Sequence, residues 1–207
     1  MHPGASILQA ERLCFGYFPA PAPPLFNQLS LALPPGLTFL GGAESTGKTT
    51  LLQLLAGVLP VRGELRIQGV SLGQNPIAYR RQVAWLDPKV TTLDSQTARQ
   101  IFAALPDCDR MVLQAHIDGL SLAPHLDKSL TMMSTGTRRK VLLAAALAAE
   151  APATLLDQPF NALDRPSIDY LLAVFAQASR QAARAWVVAD YEPPPGVELA
   201  GMIELGV

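Results

Sequence analysis

The stretch Gly42-Ala43-Glu44-Ser45-Thr46-Gly47-Lys48-Thr49-Thr50 fits the pattern G-x-x-x-x-G-K-[ST] of a phosphate-binding loop. An apolar run at 36–41 precedes it and predicts a short strand. A leucine-rich run at 50–57 follows it, ends in a glycine and predicts a helix. A glycine-rich loop between a strand and a helix is the setting in which this pattern binds phosphate. A chance glycine-rich turn is therefore a much poorer explanation.

The residues of this loop divide the binding of a nucleotide between them. Backbone N–H groups and the positive end of the helix dipole converge on phosphate oxygens. Lys48 adds a point charge for the β- and γ-phosphates, and Thr49 offers a hydroxyl to Mg²⁺. The residues expected to contact the nucleotide are Gly42, Ser45, Thr46, Gly47, Lys48, Thr49 and Thr50.

Composition narrows the class of protein. A length of 207 residues suits one domain, or one domain with a small subdomain, and 49% hydrophobic residues allow a large core. A net charge of -1 without a basic run argues against a nucleic-acid partner. Cys14 and Cys108 are far apart and favour a reducing compartment. We find no secretory signal, and the most apolar run, 141–149, is too short to span a bilayer.

Strand-like and helical stretches alternate along the chain. The predicted strands lie at 7–10, 13–17, 25–33, 36–41, 63–69, 81–86, 153–157, 185–188 and 203–205. The predicted helices lie at 50–57, 97–105, 109–120, 138–149 and 169–183. The proline-rich run at 19–24 predicts a loop. Such alternation predicts a mainly parallel sheet with helices on both faces.

An acid at the end of a buried strand is the second expected part of the site. Asp157 ends the apolar run Ala153-Thr154-Leu155-Leu156, where its carboxylate can reach Mg²⁺ directly or through water. An aspartate at this point also serves often as a helix cap. Its assignment as a metal ligand therefore depends on the segments around it.

Three further segments support that assignment. Residues 133–137, Met-Ser-Thr-Gly-Thr, precede a basic helix start, residues 155–160 read Leu-Leu-Asp-Gln-Pro-Phe, and residues 161–164 read Asn-Ala-Leu-Asp. With the phosphate loop, they make the chain resemble the ATP-binding subunits of ABC transporters over about residues 7–191. The first segment resembles the signature, usually Leu-Ser-Gly-Gly-Gln, of which Ser134 and Gly136 are kept. The others resemble the Walker B segment, usually ending Asp-Glu-Pro, and the D-loop.

The resemblance implies a fold and ligands. It implies an α/β P-loop NTPase fold, with a mainly parallel sheet flanked by helices, a small antiparallel β subdomain and a helical subdomain that carries the signature. Residues 1–207 would form a single ATP-binding domain, with the helical subdomain inserted at about 88–150. The ligands would be ATP and Mg²⁺, and Tyr17 would stack on adenine. Lys48, Asp157 and the residues at 158 and 190 would take the catalytic positions.

The resemblance also implies partners and a mechanism. Two subunits would close head to tail over two ATP molecules, so that Ser134 and Gly136 reach the γ-phosphate held by the other subunit. The partners would be a transmembrane transporter subunit and a second ABC ATPase subunit, identical or different. The chain would then be cytoplasmic and peripheral on the inner face of the cell membrane through that partner.

Three positions depart from the family pattern. Gln158 stands where the family has the glutamate that polarises the attacking water, and a glutamine amide cannot take its proton. The resemblance would place Asp190 at the position of the switch histidine, since no histidine follows Asp164. Pro88 would replace the glutamine that senses the metal and the transmembrane partner.

Several explanations of these departures are open. The leading hypothesis is a subunit that binds Mg-ATP well but hydrolyses it slowly, and whose signature completes the site of a different subunit. An engineered glutamate-to-glutamine exchange explains Gln158 alone, and Glu192 is an alternative base. The competing classes are a regulatory or assembly module that seldom hydrolyses ATP, an ABC-type repair or translation factor, and a small-molecule kinase.

Overall fold

The computed structural model describes residues 6–17, 23–87, 89–106 and 108–206, which form two sheets and six α-helices. The strands are β1 (Leu8–Phe15), β2 (Phe26–Leu33), β3 (Gly36–Gly42), β4 (Arg62–Ile67), β5 (Val70–Ser71), β6 (Val83–Leu86), β7 (Ala153–Asp157), β8 (Ala185–Ala189) and β9 (Gly201–Leu205). The α-helices are α1 (Lys48–Leu55), α2 (Pro76–Arg80), α3 (Ala98–Ala103), α4 (Arg110–Gly119), α5 (Thr135–Ala148) and α6 (Arg165–Ala178). Two short 3₁₀ turns lie at Ala123–His125 and Leu130–Met132.

A five-stranded parallel sheet forms the centre of the fold, with the strand order β6-β7-β8-β3-β9. Because all its strands run in one direction, their carboxyl ends meet at a single edge, where α/β proteins bind ligands. Gly42 ends β3 and Asp157 ends β7, while Asp190 follows β8 between them. The sheet thus brings three segments that are distant in sequence to one edge.

The central strands are covered on both faces. All five residues of β7 and of β8 are buried. Leu156 and Val188 pack in a core with residues of α3 to α6, whereas Leu155 and Val187 pack in a second core with α1 and the other sheet. Strands buried on both faces read as continuous apolar runs, which is why these two were visible in the sequence.

The second sheet is antiparallel, with the order β2-β1-β4-β5. Its strand β1 is continuous over the two runs that the sequence suggested as separate strands. The pairing of β1 with β4 shifts register between Glu11 and Cys14, and Arg12 has a φ of 49°. This irregularity broke the alternating pattern, because an extra residue interrupts the period of two.

The predicted fold class is confirmed, while several element boundaries were wrong. The last helix begins at Arg165 rather than 169 and ends at Ala178 rather than 183. Asp164 caps it by accepting a hydrogen bond from the Ser167 backbone N–H, and a proline occupies its first turn. The helix α2 and the strand β5 were missed because each is too short for a periodic pattern. Within the described ranges, no helix has the length and apolarity needed to cross a membrane.

A buried histidine makes the stability of the fold dependent on pH. His116 on α4 is 8% exposed, and its Nδ1 lies 2.9 Å from the hydroxyl of Tyr170 on α6. Burial, with a smaller contribution from Arg184, lowers the pKa of His116 from 6.5 to about 4. As the pH falls below 6.5, His116 is protonated in the unfolded chain but stays neutral in the folded chain. The free energy of unfolding therefore declines until the pH reaches about 4, where the folded chain also binds the proton.

We expect the wild-type chain to lose about 2 kcal/mol of unfolding free energy between pH 7.5 and pH 5 through this residue alone. A His116→Gln variant lacks the titrating group, so its stability should change less over the same interval. Urea unfolding of both proteins at the two pH values measures the difference, and all other titrating groups are common to both. Equal pH dependence of the two proteins would contradict the assignment.

Candidate nucleotide-binding site

The phosphate loop joins β3 directly to α1. Gly42 and Gly47 have φ values of 141° and 98°, a region that favours glycine. A Cβ at Gly47 would also lie 3.0 Å from side-chain atoms of Leu25 and Phe26, which would have to shift to admit it. The hydroxyl of Thr46 donates to the carbonyl oxygen of Ala43 at 2.9 Å and closes the loop. This loop is built as the sequence predicted.

The side chain of Lys48 lies folded within the loop. It is 7% exposed, and its Nζ donates to the carbonyl oxygens of Gly42 at 2.5 Å and Ala43 at 2.9 Å. The ring of Tyr191 covers it, with the centroid 4.6 Å from Nζ. A desolvated ammonium gains from an aromatic face as well as from carbonyl oxygens. A strong positive charge is therefore fixed at the phosphate loop.

The two predicted metal ligands, Thr49 and Asp157, are in direct contact. The hydroxyl of Thr49 donates to the Asp157 carboxylate at 2.6 Å, although the residues are 108 positions apart in sequence. Burial raises the pKa of Asp157, and the Thr49 hydroxyl, Arg139 and Lys48 oppose that rise. Adjacent ligands of an octahedral Mg²⁺ lie about 3 Å apart, given Mg–O distances near 2.1 Å. The two oxygens are therefore close enough to serve as adjacent Mg²⁺ ligands after a small outward shift.

Tyr17 lies beside the phosphate loop, as its predicted adenine contact requires. Its hydroxyl is 2.8 Å from the Thr50 hydroxyl on α1. The ring packs edge-on against Phe15 with a centroid distance of 5.0 Å and leaves the residue 62% exposed. An aromatic ring that is packed against a neighbour and still largely exposed suits stacking on a base.

Gln158 follows Asp157 in a strained turn. Its φ is 45°, and its N–H donates to the Ala189 carbonyl oxygen at 2.8 Å. Its side-chain Oε1 accepts a hydrogen bond from Asn161 Nδ2 at 2.9 Å. The amide is thereby bound to the D-loop-like segment, and it carries no group that accepts a proton from water at neutral pH.

Asp190 lies beside β3 at the same edge. Its N–H donates to the Leu40 carbonyl oxygen at 3.2 Å. Burial raises the pKa of Asp190; the charge of Asp157 raises it further, while Lys48 and Arg139 lower it. Asp190, the residue predicted to take the place of the family's switch histidine, thus lies within electrostatic reach of Asp157 and Lys48. The other predicted departure, Pro88, lies outside the described residues.

Ser134 and Gly136 form the start of α5. Ser134 is the N-cap: its exposed side chain accepts a hydrogen bond from the Thr137 N–H at 3.2 Å. A Cβ at Gly136 would lie 2.5 Å from the carbonyl oxygen of Ala162. The glycine of the signature-like segment is therefore required by close packing against the D-loop-like segment.

We expect Gly136→Ala to destabilise the chain by about 1–3 kcal/mol, since the new methyl group meets a backbone oxygen that cannot give way cheaply. Gly73→Ala is the matched control, because a Cβ there meets its nearest atom at 3.8 Å. Urea unfolding of the two variants and the wild type measures the effect. Similar stability of both variants would contradict the packing argument.

Two contacts at the site were missed by the sequence reasoning. Arg139 Nη2 donates to the carbonyl oxygens of Asp157 and Gln158, and the Tyr191 ring covers Lys48. The basic start of α5 was noticed, but nothing in the sequence indicates which of its side chains turns toward β7. Similarly, an aromatic residue after Asp190 gives no signal of the lysine that it contacts.

The geometry defines a P-loop nucleotide-binding domain, in which the phosphate loop faces a carboxylate two strands away. The family model described as ABC transporter matches residues 26–161. The chain belongs to this family and is an ATP-binding subunit of an ABC transporter.

Relatives and solved structures agree with this assignment. The cytochrome c biogenesis ATP-binding export protein CcmA of Pseudomonas syringae pv. syringae is 33% identical over 155 residues, 71% of this chain and 72% of that protein. The molybdate import ATP-binding protein MolC of Haemophilus influenzae is 29% identical over 178 residues, 85% and 70% of the two chains.

Solved structures show the same fold. An ATP-binding subunit of an ABC transporter superposes with a TM-score of 0.79 at 20% identity, covering 90% of this chain and 80% of that one. A putative ABC transporter ATP-binding protein from Pyrococcus furiosus gives a TM-score of 0.74 at 20% identity and covers 96% of each chain.

Proposed function

We propose that this subunit binds Mg-ATP tightly, hydrolyses it slowly at its own site, and couples binding to transport by a separate transmembrane subunit. The observation that carries the proposal is Gln158, an amide held by Asn161 at the position where hydrolysis needs a basic carboxylate. Chain 1–207 acts as one ATP-binding domain, with the helical insertion at about 88–150, and lies peripherally on the inner face of the membrane through its partner.

The binding half of the proposal is supported by an intact set of ligands. Lys48 supplies the charge for the β- and γ-phosphates, and Thr49 and Asp157 supply oxygens for Mg²⁺. When bound, the metal neutralises charge on the phosphates. Tyr17 stacks on the adenine next to Thr50.

The slow-hydrolysis half is supported by the charges around the γ-phosphate position. A general base at position 158 would contribute about 10²–10⁴-fold to the rate, and Gln158 cannot supply it. Asp190 adds a carboxylate near Asp157 and Lys48. Two like unit charges about 4 Å apart repel by about 4 kcal/mol at an effective dielectric constant of 20. Both changes slow the attack of water. Glu192, the alternative base, is exposed and stays a separate hypothesis.

The signature-like segment supports a role in a dimer. Ser134 is exposed at the N-terminus of α5, where a hydroxyl and free N–H groups suit a phosphate held by another subunit. The second subunit is a catalytically complete ATPase in this proposal. The relatives include an export protein and an import protein, so the proposal is limited to the ATP-binding role that they share.

The second candidate is an ABC module with a regulatory or assembly role, which closes on ATP and seldom hydrolyses it. The pair of departures at Gln158 and Asp190 favours it as much as it favours the first. Purification of the chain with its membrane partner, followed by measurement of ATP affinity and of turnover with and without that partner, separates the two. The transport role predicts that a transmembrane protein co-purifies and that turnover rises in its presence. Tight ATP binding without any such partner would support the regulatory role.

A further inference from the structure

A guanidinium joins the signature helix to the end of the strand that carries the metal ligand. Arg139, the fifth residue of α5, donates through Nη2 to the carbonyl oxygens of Asp157 at 2.8 Å and Gln158 at 2.5 Å. Hydrogen bonds from an ionised donor are roughly twice as strong as neutral ones. These hydrogen bonds therefore tie the start of α5 to the end of β7.

The orientation of the Arg139 side chain leaves one of its polar groups without a hydrogen bond to the described residues. Within the described part of the chain, the Nε of Arg139 is buried and has no hydrogen-bond partner. The charge of Arg139 is also felt by both carboxylates of the site, Asp157 and Asp190. Arg139 thus leaves one buried donor unpaired among these residues while its Nη2 binds two carbonyl oxygens. These two hydrogen bonds therefore determine the orientation of its side chain.

We propose that Arg139 is a positioning residue that transmits the occupancy of this chain's own nucleotide site to the segment around Ser134. Binding of Mg-ATP would add a cation beside the Thr49 hydroxyl and the Asp157 carboxylate, whose oxygens lie 2.6 Å apart, so the end of β7 would adjust when the site fills. Arg139 carries that adjustment to α5, and the helix carries it as a rigid body to its N-cap five residues away. The proposal rests on the proposed function, because it assumes that Mg-ATP binds at Lys48 and Thr49.

The neighbouring residue offers a matched control. Arg138 ties the same helical turn in another direction, to the carboxylate of Asp94 and the carbonyl oxygen of Val90. If variants of Arg139 lose the effect of nucleotide on α5 and variants of Arg138 keep it, transmission is distinguished from general anchoring of the helix.

The test is hydrogen–deuterium exchange of the full chain with and without Mg-ATP, read on the peptide that covers residues 133–143, with ATP affinity measured in parallel. In the wild type we expect Mg-ATP to slow exchange of this peptide by about threefold or more. Arg139→Met, compared with the wild type at a Mg-ATP concentration that saturates each protein, should lose the change in exchange. Arg139→Lys, which keeps a charged donor, should regain at least about half of that change, and Arg138→Gln should keep it.

Each other outcome decides against the proposal. An unchanged peptide in the wild type, or an equal Mg-ATP effect in Arg139→Met and the wild type, overturns it, as does loss of the effect in Arg138→Gln to the same extent. If Arg139→Met does not fold, Arg139→Gln is judged by the same criterion, because its amide is too short to reach the two carbonyl oxygens. Failure of the wild type to bind Mg-ATP would appear in the affinity measurement and would overturn the proposed function itself.

Discussion

Replacing Gln158 by glutamate is expected to raise ATP turnover by about 10²-fold, the lower end of what a positioned general base contributes. The substitution changes the amide to a carboxylate of nearly the same shape, directly after Asp157 in the strained turn at the end of β7. The new carboxylate can accept a proton from water, which the Gln158 amide cannot do. Steady-state phosphate release at saturating Mg-ATP measures the effect.

The control for this prediction is Gln68→Glu. Gln68 has the same φ of 45° as Gln158 but lies in an exposed turn of the antiparallel sheet, so the exchange there should leave turnover unchanged. Adding Asp190→His to Gln158→Glu should raise turnover further, because in the proposed function the Asp190 carboxylate repels the γ-phosphate. A Gln158→Glu chain whose turnover stays within about twofold of the wild type would show that the missing base is not what limits hydrolysis.

Replacing Lys48 by alanine is expected to weaken Mg-ATP binding by about 10–100-fold. The residue is buried in the loop, and its Nζ is held 2.5 Å from the Gly42 carbonyl oxygen, ready to turn toward phosphate. Hydrogen bonds to charged groups contribute about 1.5–3 kcal/mol, and every 1.4 kcal/mol corresponds to a factor of ten in affinity. Equilibrium titration with a fluorescent ATP analogue measures the change.

Lys128→Ala serves as the control for charge, because Lys128 is an exposed lysine beside His125 and far from the loop in sequence. Thermal unfolding of both variants establishes that the loop variant is folded. Unaltered affinity in a folded Lys48→Ala chain would contradict the assignment of the phosphate site.

The sequence predicted the parts of the fold that have strong local signals. The runs that became β3, β7 and β8 are mostly apolar because the sheet is covered on both faces, and the phosphate loop has fixed spacing. The sequence did not predict α2 and β5, because α2 has five residues and β5 has two, too few for a periodic hydrophobic pattern.

The sequence indicated which residues form the candidate site, but it did not indicate which side chains contact one another there. The sequence indicated Lys48 and Asp157, and parallel pairing brings their strands to one edge. The contacts of Arg139 with β7 and of Tyr191 with Lys48 depend on rotamers and on packing between residues 18 to 143 positions apart. Such tertiary contacts leave no periodic trace in a single sequence.

The fate of bound ATP tests the central claim most directly. The purified chain is loaded with radiolabelled Mg-ATP, freed of unbound nucleotide, and sampled over time for the ratio of bound ATP to ADP. Slow hydrolysis at an intact binding site predicts that most of the retained nucleotide is still ATP after several minutes. Conversion to ADP within seconds, as expected of an enzyme with a turnover of about 1 s⁻¹ or more, would contradict the account.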